Sequence, residues 1–188
     1  MPDPDGDLDY LRAGLQNLEA YLLSGELYWR IGAPAKPGEP PFPSLTLSGL
    51  LLARSRLSAY PLSLDMQFER ERIYAELDRI QTRWRLAWEN KAAREFHARL
   101  NLWQSYMEDY RDDPGNHADR YPYEVSRRVM LELLMPVVEH RVGVETAMLT
   151  GLDEILKSVF VPGEFIWDKA LSPVFPMQPF WYLYGKPR

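Results

Sequence analysis

The chain has 188 residues, of which 46% are hydrophobic and 26% are charged, a composition typical of a globular protein rather than a disordered one. It contains no cysteine, which excludes disulfides, thiolate metal sites and a cysteine nucleophile. The formal net charge is −5 and the basic residues are interspersed with acidic ones, which argues against a nucleic-acid or anionic-membrane surface.

The first residues and the hydropathy pattern bear on localisation. Residues 1–9 are acidic and polar, unlike the positively charged start of a signal peptide. No apolar run reaches the roughly 18 residues that a membrane-spanning helix needs. We therefore expect a soluble, cytoplasmic protein with no membrane partner.

The N-terminal part of the chain begins with a frayed end, residues 1–6, and continues as a helix. Asp7 is a candidate N-cap, and leucines recur every three or four residues as far as Leu22. Gly25 is well placed to end this helix. Residues 26–31 are rich in strand-forming residues, but the segment is too short for the pattern to assign a strand.

A Pro-rich connector and a short helix follow. Five prolines lie between residues 34 and 43, which excludes helix and predicts an irregular connector over residues 33–44 that lies across the helices. Residues 45–60 then form a helix whose N-cap is Ser44 or Thr46.

The segment from Phe68 to Tyr110 is the feature around which we expect the other elements to pack. Its apolar residues recur every three or four positions, and no Pro or Gly interrupts them. This period predicts one long amphipathic helix. Its apolar stripe is aromatic and includes Trp84, Trp88, Phe96, Trp103 and Tyr110.

The C-terminal part of the chain combines further helix with an aromatic tail. Pro122 suits the first turn of a helix, and Pro136 should kink or break it. The pattern continues over residues 137–159, and the residues expected on its buried apolar side are Val137, His140, Val144, Met148, Leu152, Ile155 and Val159. Residues 164–188 contain four prolines and many aromatic residues, and we expect an extended tail packed on the helices. Residues 181–184 are a candidate strand partner for residues 27–29.

These elements predict an all-α fold: a bundle of four to five helices around one long central helix, forming a single domain over residues 1–188. The aromatic surplus of the tail also predicts a contact surface for another chain, because such residues are a liability when left in water. The candidate interface residues are Phe175, Phe180, Trp181, Tyr182 and Tyr184.

Three charged residues within or beside the apolar face of the long helix are the most distinctive polar feature. Lys91, Glu95 and Arg99 are spaced four residues apart, so Glu95 can reach either cation. A buried ion pair that satisfies itself, or side chains that extend from the edge of the stripe to solvent, explains them best. The alternative is a cavity in which Arg99 holds an anionic ligand, with His140 or a tail tyrosine closing the pocket.

Signatures of other chemistry are missing from the sequence. There is no Glu-x-x-His pair, no calcium-loop spacing among the N-terminal aspartates, no phosphate-binding glycine loop and no nucleophile elbow. We expect no metal, no cofactor and no catalytic residue. The favoured function is a non-enzymatic interaction or scaffold protein whose partner is another protein or a second copy. The alternative is a small-molecule binding protein or enzyme with its pocket at Glu95 and Arg99.

Overall fold

The computed structural model describes residues 4–32 and 41–188. The described chain is mostly helical, with a small two-stranded antiparallel sheet, which confirms the all-α class. No described helix is both long and apolar enough to cross a membrane. The chain forms two compact units, Met1–Glu95 and Phe96–Arg188. The single domain expected from the sequence stays a prediction.

In the first unit, helix α1 (Pro4–Leu23) begins earlier than predicted. The frayed end is wrong for residues 4–6, and residues 1–3 lie outside the described residues. A proline suits the first turn of a helix, and the acidic Asp5 and Asp7 stabilise its positive end. Asp7 is therefore not the N-cap. It is buried inside the helix, where the Arg56 guanidinium donates to it. The leucines of the predicted stripe are buried as expected at Leu8, Leu11, Leu18 and Leu22.

The connector and the second helix follow the prediction where they are described. Residues 33–40 lie outside the described residues, and residues 41–44 are irregular. Helix α2 (Leu47–Leu57) has Thr46 as its N-cap, and the Thr46 hydroxyl accepts a 3.0 Å hydrogen bond from the Gly49 amide. Trp29 pairs with Leu45 through two backbone hydrogen bonds of 3.1 and 2.7 Å.

The predicted long helix is two helices. Helix α3 (Leu64–Arg83) ends and helix α4 (Arg85–Asp112) begins at Trp84, where φ is −108° and ψ is 32°. The Trp84 amide still donates to Ile80 and the Trp88 amide to Trp84, so the break is confined to one residue. Breaks of this kind usually occur at Pro or Gly, and neither is present. Helix α3 packs on α1, and at the break the Arg83 guanidinium lies 5.2 Å from the centre of the Trp84 ring.

In the second unit, the rest of α4 is followed by the short helix α5 (Pro114–His117), by α6 (Tyr121–Val138) and by α7 (Gly143–Val159). Helix α6 ends two residues after Pro136, in agreement with the predicted break. Helix α7 buries Leu149, Leu152 and Leu156.

The predicted apolar face beyond Pro136 is wrong in two respects. His140 lies in the turn between α6 and α7 and is exposed rather than facing the core. Val144, Met148 and Ile155, expected to be buried, are also exposed. The prediction assumed a helix continuous from Val137, whereas the turn at residues 139–142 resets the helical phase, so the leucine side of α7 faces the core.

The C-terminal residues fold back as a two-stranded antiparallel sheet, with residues 166–183 between the strands, rather than as an extended tail. Strand β1 (Phe160–Phe165) pairs antiparallel with β2 (Tyr184–Pro187), with Val161 opposite Lys186. Gly185 has φ of +142°, and a Cβ there would lie 2.2 Å from the Val161 carbonyl oxygen, so this pairing requires glycine. Residues 181–183 form a 3-10 turn. The predicted pairing of residues 181–184 with residues 27–29 is therefore wrong.

Candidate functional site

Lys91, the first residue of the predicted polar trio, binds the C-terminal end of α1. Its Nζ donates to the carbonyl oxygens of Ser24 at 2.9 Å and Glu26 at 2.5 Å. The ammonium also lies 4.4 Å from the centre of the Tyr21 ring. Burial lowers the pKa of Lys91, and the charge of Arg94 lowers it further. The cation satisfies carbonyl groups at the negative end of the helix, which is a structural role.

Glu95, the second residue of the trio, binds the N-terminal end of α2. Its Oε2 accepts hydrogen bonds from the amides of Leu47 at 2.8 Å and Ser48 at 3.2 Å. Its Oε1 accepts from the Ser48 hydroxyl. The carboxylate is fully buried. It lies where the helix dipole is positive and where backbone amides lack partners within the helix.

These contacts favour the structural interpretation of Lys91 and Glu95, since each fixes one helix end in the first unit. Arg99 belongs to the second unit, where it is buried. The predicted ligand site at Glu95 and Arg99 stays a prediction, and His140 lies on the surface, beside Arg141.

A buried charge cluster in the second unit was missed by the sequence analysis. Both Nε and Nη2 of Arg128 donate to the Asp153 carboxylate at 2.9 Å, and Nη1 donates to Glu132 at 2.8 Å. The guanidinium lies 4.6 Å from the centre of the Tyr182 ring. The spacing of Arg128 and Glu132 on α6 was a usable signal. Asp153 comes from α7, and no sequence pattern relates it to Arg128.

The candidate interface residues of the tail pack mainly on one another. Phe175, Phe180 and Tyr182 are buried, whereas Trp181 and Tyr184 are half-buried. The rings of Phe175 and Phe180 meet edge to face at 5.1 Å, and the Tyr184 hydroxyl donates to the Phe175 carbonyl oxygen at 2.9 Å. Their apolar surface is largely used inside the second unit, and their interface role stays a prediction.

The outer face of α7, defined as Val144, Met148, Gly151 and Ile155, is apolar and exposed. The three larger side chains are 79%, 42% and 49% exposed, respectively. Leu149, Leu152 and Leu156 of the same helix are buried. The outer face is therefore exposed to solvent on a helix that is held in place by its leucines.

A pocket of about 360 Å³ lies at the C-terminal end of this face. Its apolar lining comes from Met107, Tyr110, Pro114, Ile155 and Val159. Arg111, Ser158 and Arg188 complete the lining. At the other end of the face, Glu145 lies 3.5 Å from the exposed His97.

Comparison with known proteins finds no matching family, no similar curated protein and no similar solved structure. The geometry of the chain itself is therefore the basis for assigning function. Within residues 4–32 and 41–188, no three His, Asp or Glu side chains are grouped to hold a metal ion. The candidate site is the apolar outer face of α7 together with the pocket at its C-terminal end. This arrangement suits binding.

Proposed function

We propose that this protein is a non-enzymatic interaction protein that binds another protein chain through the outer face of α7. One observation carries the proposal: Val144, Met148 and Ile155 are exposed side by side on a helix whose adjoining leucine face is buried. Contiguous exposed apolar patches mark interaction sites, whereas single exposed apolar residues are ordinary on protein surfaces. The cytoplasmic location expected from the sequence belongs to this proposal.

The spacing of the outer face supports a helical partner. Val144, Met148, Gly151 and Ile155 follow one another at intervals of four, three and four residues. This is the interval pattern of a helix–helix seam, in which each side chain enters a gap on the facing helix. The buried Leu149, Leu152 and Leu156 fix the orientation of α7, so the seam is presented without rearrangement.

The contacts of the predicted polar residues agree with a non-enzymatic role. Lys91 and Glu95 bind backbone groups at the ends of α1 and α2. Both carboxylate oxygens of Glu95 accept hydrogen bonds from residues of α2, so the carboxylate is engaged in holding the fold.

Site-specific photo-crosslinking tests the proposal. A photoreactive phenylalanine analogue at position 148 should yield a defined protein adduct in cells that naturally contain this protein. The same analogue at the exposed Thr150, outside the outer face, should yield none. Adding Ile155→Glu to the position-148 variant should abolish the adduct while circular dichroism stays unchanged. Absence of any adduct at position 148 would overturn the proposal.

A second candidate function, binding of a small amphipathic anion, is favoured by the pocket beside α7. Its volume of about 360 Å³ suits a small ligand, and Arg111 and Arg188 add two cations to an apolar lining. This candidate site belongs to the second unit, and its lining does not include Glu95 or Arg99, the residues that the sequence suggested. Anilinonaphthalene sulfonate, an apolar body with one anionic group, is a suitable probe. Its fluorescence enhancement should fall in Arg111→Gln and persist in the control Lys186→Gln. Equal enhancement in both variants would contradict the candidate function.

A further inference from the structure

We infer that the chain covering the outer face of α7 is a second copy of this protein, packed antiparallel about a two-fold axis between Gly151 and Leu152. The inference rests on the proposed function and names its partner. A two-fold interface must be self-complementary, since the same surface is used by both copies. The residues of α7 and of the adjoining pocket meet this requirement in four ways.

The apolar residues of α7 are symmetric about the proposed axis. Reversing the helix about the midpoint of Gly151 and Leu152 exchanges Met148 with Ile155 and Val144 with Val159. Met148 would therefore lie beside Ile155 of the partner subunit, and apolar side chains would meet along the whole seam.

Gly151 suits the point where the two helices cross. A Cβ added at Gly151 would meet no atom of the described chain within 4 Å, so the helix backbone is open to an approaching surface there. Interaxial distances of packed helices depend on the side chains at the contact, and a glycine allows the short end of the range of about 8–10 Å.

The charges at the two ends of α7 are complementary under the same reversal. Glu145 lies near one end of the helix, and Ser158, which lines the pocket with Arg111 and Arg188, lies near the other. Both residues are about 10 Å from the midpoint, at a rise of about 1.5 Å per residue. The antiparallel arrangement therefore brings Glu145 to the arginines of the partner subunit. A parallel pair would instead bring two Glu145 carboxylates together, which electrostatic repulsion disfavours.

The pocket gains an occupant in this arrangement. Val144 is 79% exposed and lies at one end of the contiguous apolar outer face. The reversal places it against Val159 of the partner subunit, which lines the pocket. Each copy has an exposed valine and an open apolar pocket. In the dimer, Val144 of one copy occupies the pocket of the other.

Light scattering after gel filtration tests the inference on the full chain. The wild type should have the mass of a dimer, with the dimer fraction rising with protein concentration. Met148→Glu should be monomeric with an unchanged circular dichroism spectrum. Thr150→Glu, which adds the same charge outside the seam, should remain dimeric. A dimer that survives Met148→Glu would overturn the inference.

The absence of cysteine allows the axis itself to be tested. Two copies of Gly151→Cys would face each other across the axis, so added oxidised glutathione should convert the two thiols into an intersubunit disulfide. Thr150→Cys should stay unlinked under the same conditions. A disulfide that forms equally in both variants, or in neither, would contradict the antiparallel seam.

Charge reversal tests the proposed ends of the seam. Arg111→Glu and Glu145→Arg should each weaken the dimer about tenfold, and the double variant should recover most of the loss. A monomer at all concentrations, combined with a position-148 adduct to a different protein, would overturn the inference and leave the proposed function intact. A monomer with no adduct would overturn both.

Discussion

The Leu47 amide donates a 2.8 Å hydrogen bond to the Glu95 carboxylate, so a side chain 48 residues further along the chain closes the first turn of α2. Helix N-termini are usually capped by a neighbouring residue. Here the Thr46 hydroxyl accepts a hydrogen bond from the nearby Gly49 amide, and the Glu95 carboxylate, distant in sequence, accepts from the amides of Leu47 and Ser48. The first free amides of α2 are satisfied by residues from two parts of the chain, which ties α2 to α4 within the first unit.

Glu95→Gln should lower the free energy of unfolding by about 2–4 kcal/mol, because the amide group removes the charge and cannot accept all three hydrogen bonds. Urea denaturation measures this change. The matched control is Glu76→Gln at an exposed salt bridge on α3, which should change stability by less than about 0.5 kcal/mol. Equal effects at both sites would show that the Glu95 contact is not stabilising.

Trp103→Ala should cost about 3–5 kcal/mol, because the indole is fully buried in the second unit and its loss leaves a cavity. The neighbouring Leu102 is 41% exposed on the same helix, so Leu102→Ala should cost less than about 1.5 kcal/mol. Denaturant unfolding of the two variants provides the comparison. Similar losses would mean that the two positions are equally buried in solution.

Tyr121→Phe and Tyr182→Phe should lower the free energy of unfolding at neutral pH by different amounts, although both hydroxyls are buried. The Tyr121 hydroxyl donates to the Tyr182 carbonyl oxygen at 2.6 Å, and its loss should cost about 1–3 kcal/mol. The Tyr182 hydroxyl has no hydrogen-bond partner among the described residues, so its removal should change stability by less than about 1 kcal/mol. A larger loss for Tyr182→Phe in urea denaturation would contradict these contacts.

The buried tyrosines also predict an alkaline limit to stability. Burial raises the pKa of Tyr121 well above its ordinary value of 10.0, and the neighbouring Tyr106 raises it further. The folded state therefore binds more protons than the unfolded state above pH 10. The stabilisation is fully present below that pH and is lost as the pH rises. Tyr121→Phe should flatten this decline, and the exposed Tyr123→Phe should not. Thermal unfolding at a series of alkaline pH values measures the decline. If stability declines identically in Tyr121→Phe and Tyr123→Phe, the raised pKa of Tyr121 is contradicted.

The sequence predicted the features that depend on local pattern and chain stiffness. The leucine stripe of α1 follows from its spacing, and the N-cap of α2 is Thr46, one of the two candidates. Helix α6 ends two residues after Pro136, close to the predicted kink or break. It also placed Trp88, Phe96 and Trp103 on the buried face, because helical periodicity alone determines that side.

The features that the sequence did not predict depend on tertiary contacts. The break at Trp84 occurs without Pro or Gly. The buried face of α7 depends on where that helix begins, and a helix counted from Val137 instead of Gly143 selects the wrong side. The partners of Glu95 and Arg128 come from distant segments, so the trio was recognised as unusual but its contacts were not foreseen.

Hydrogen exchange of the α7 backbone amides, followed at low and at high protein concentration, tests most directly whether a second copy covers Val144, Met148 and Ile155. Covering a helix face suppresses its local opening and slows exchange. We predict slower exchange over residues 144–158 at high concentration in the wild type, and no such change in Met148→Glu. Exchange rates in α7 that are the same at both concentrations in the wild type would contradict the account.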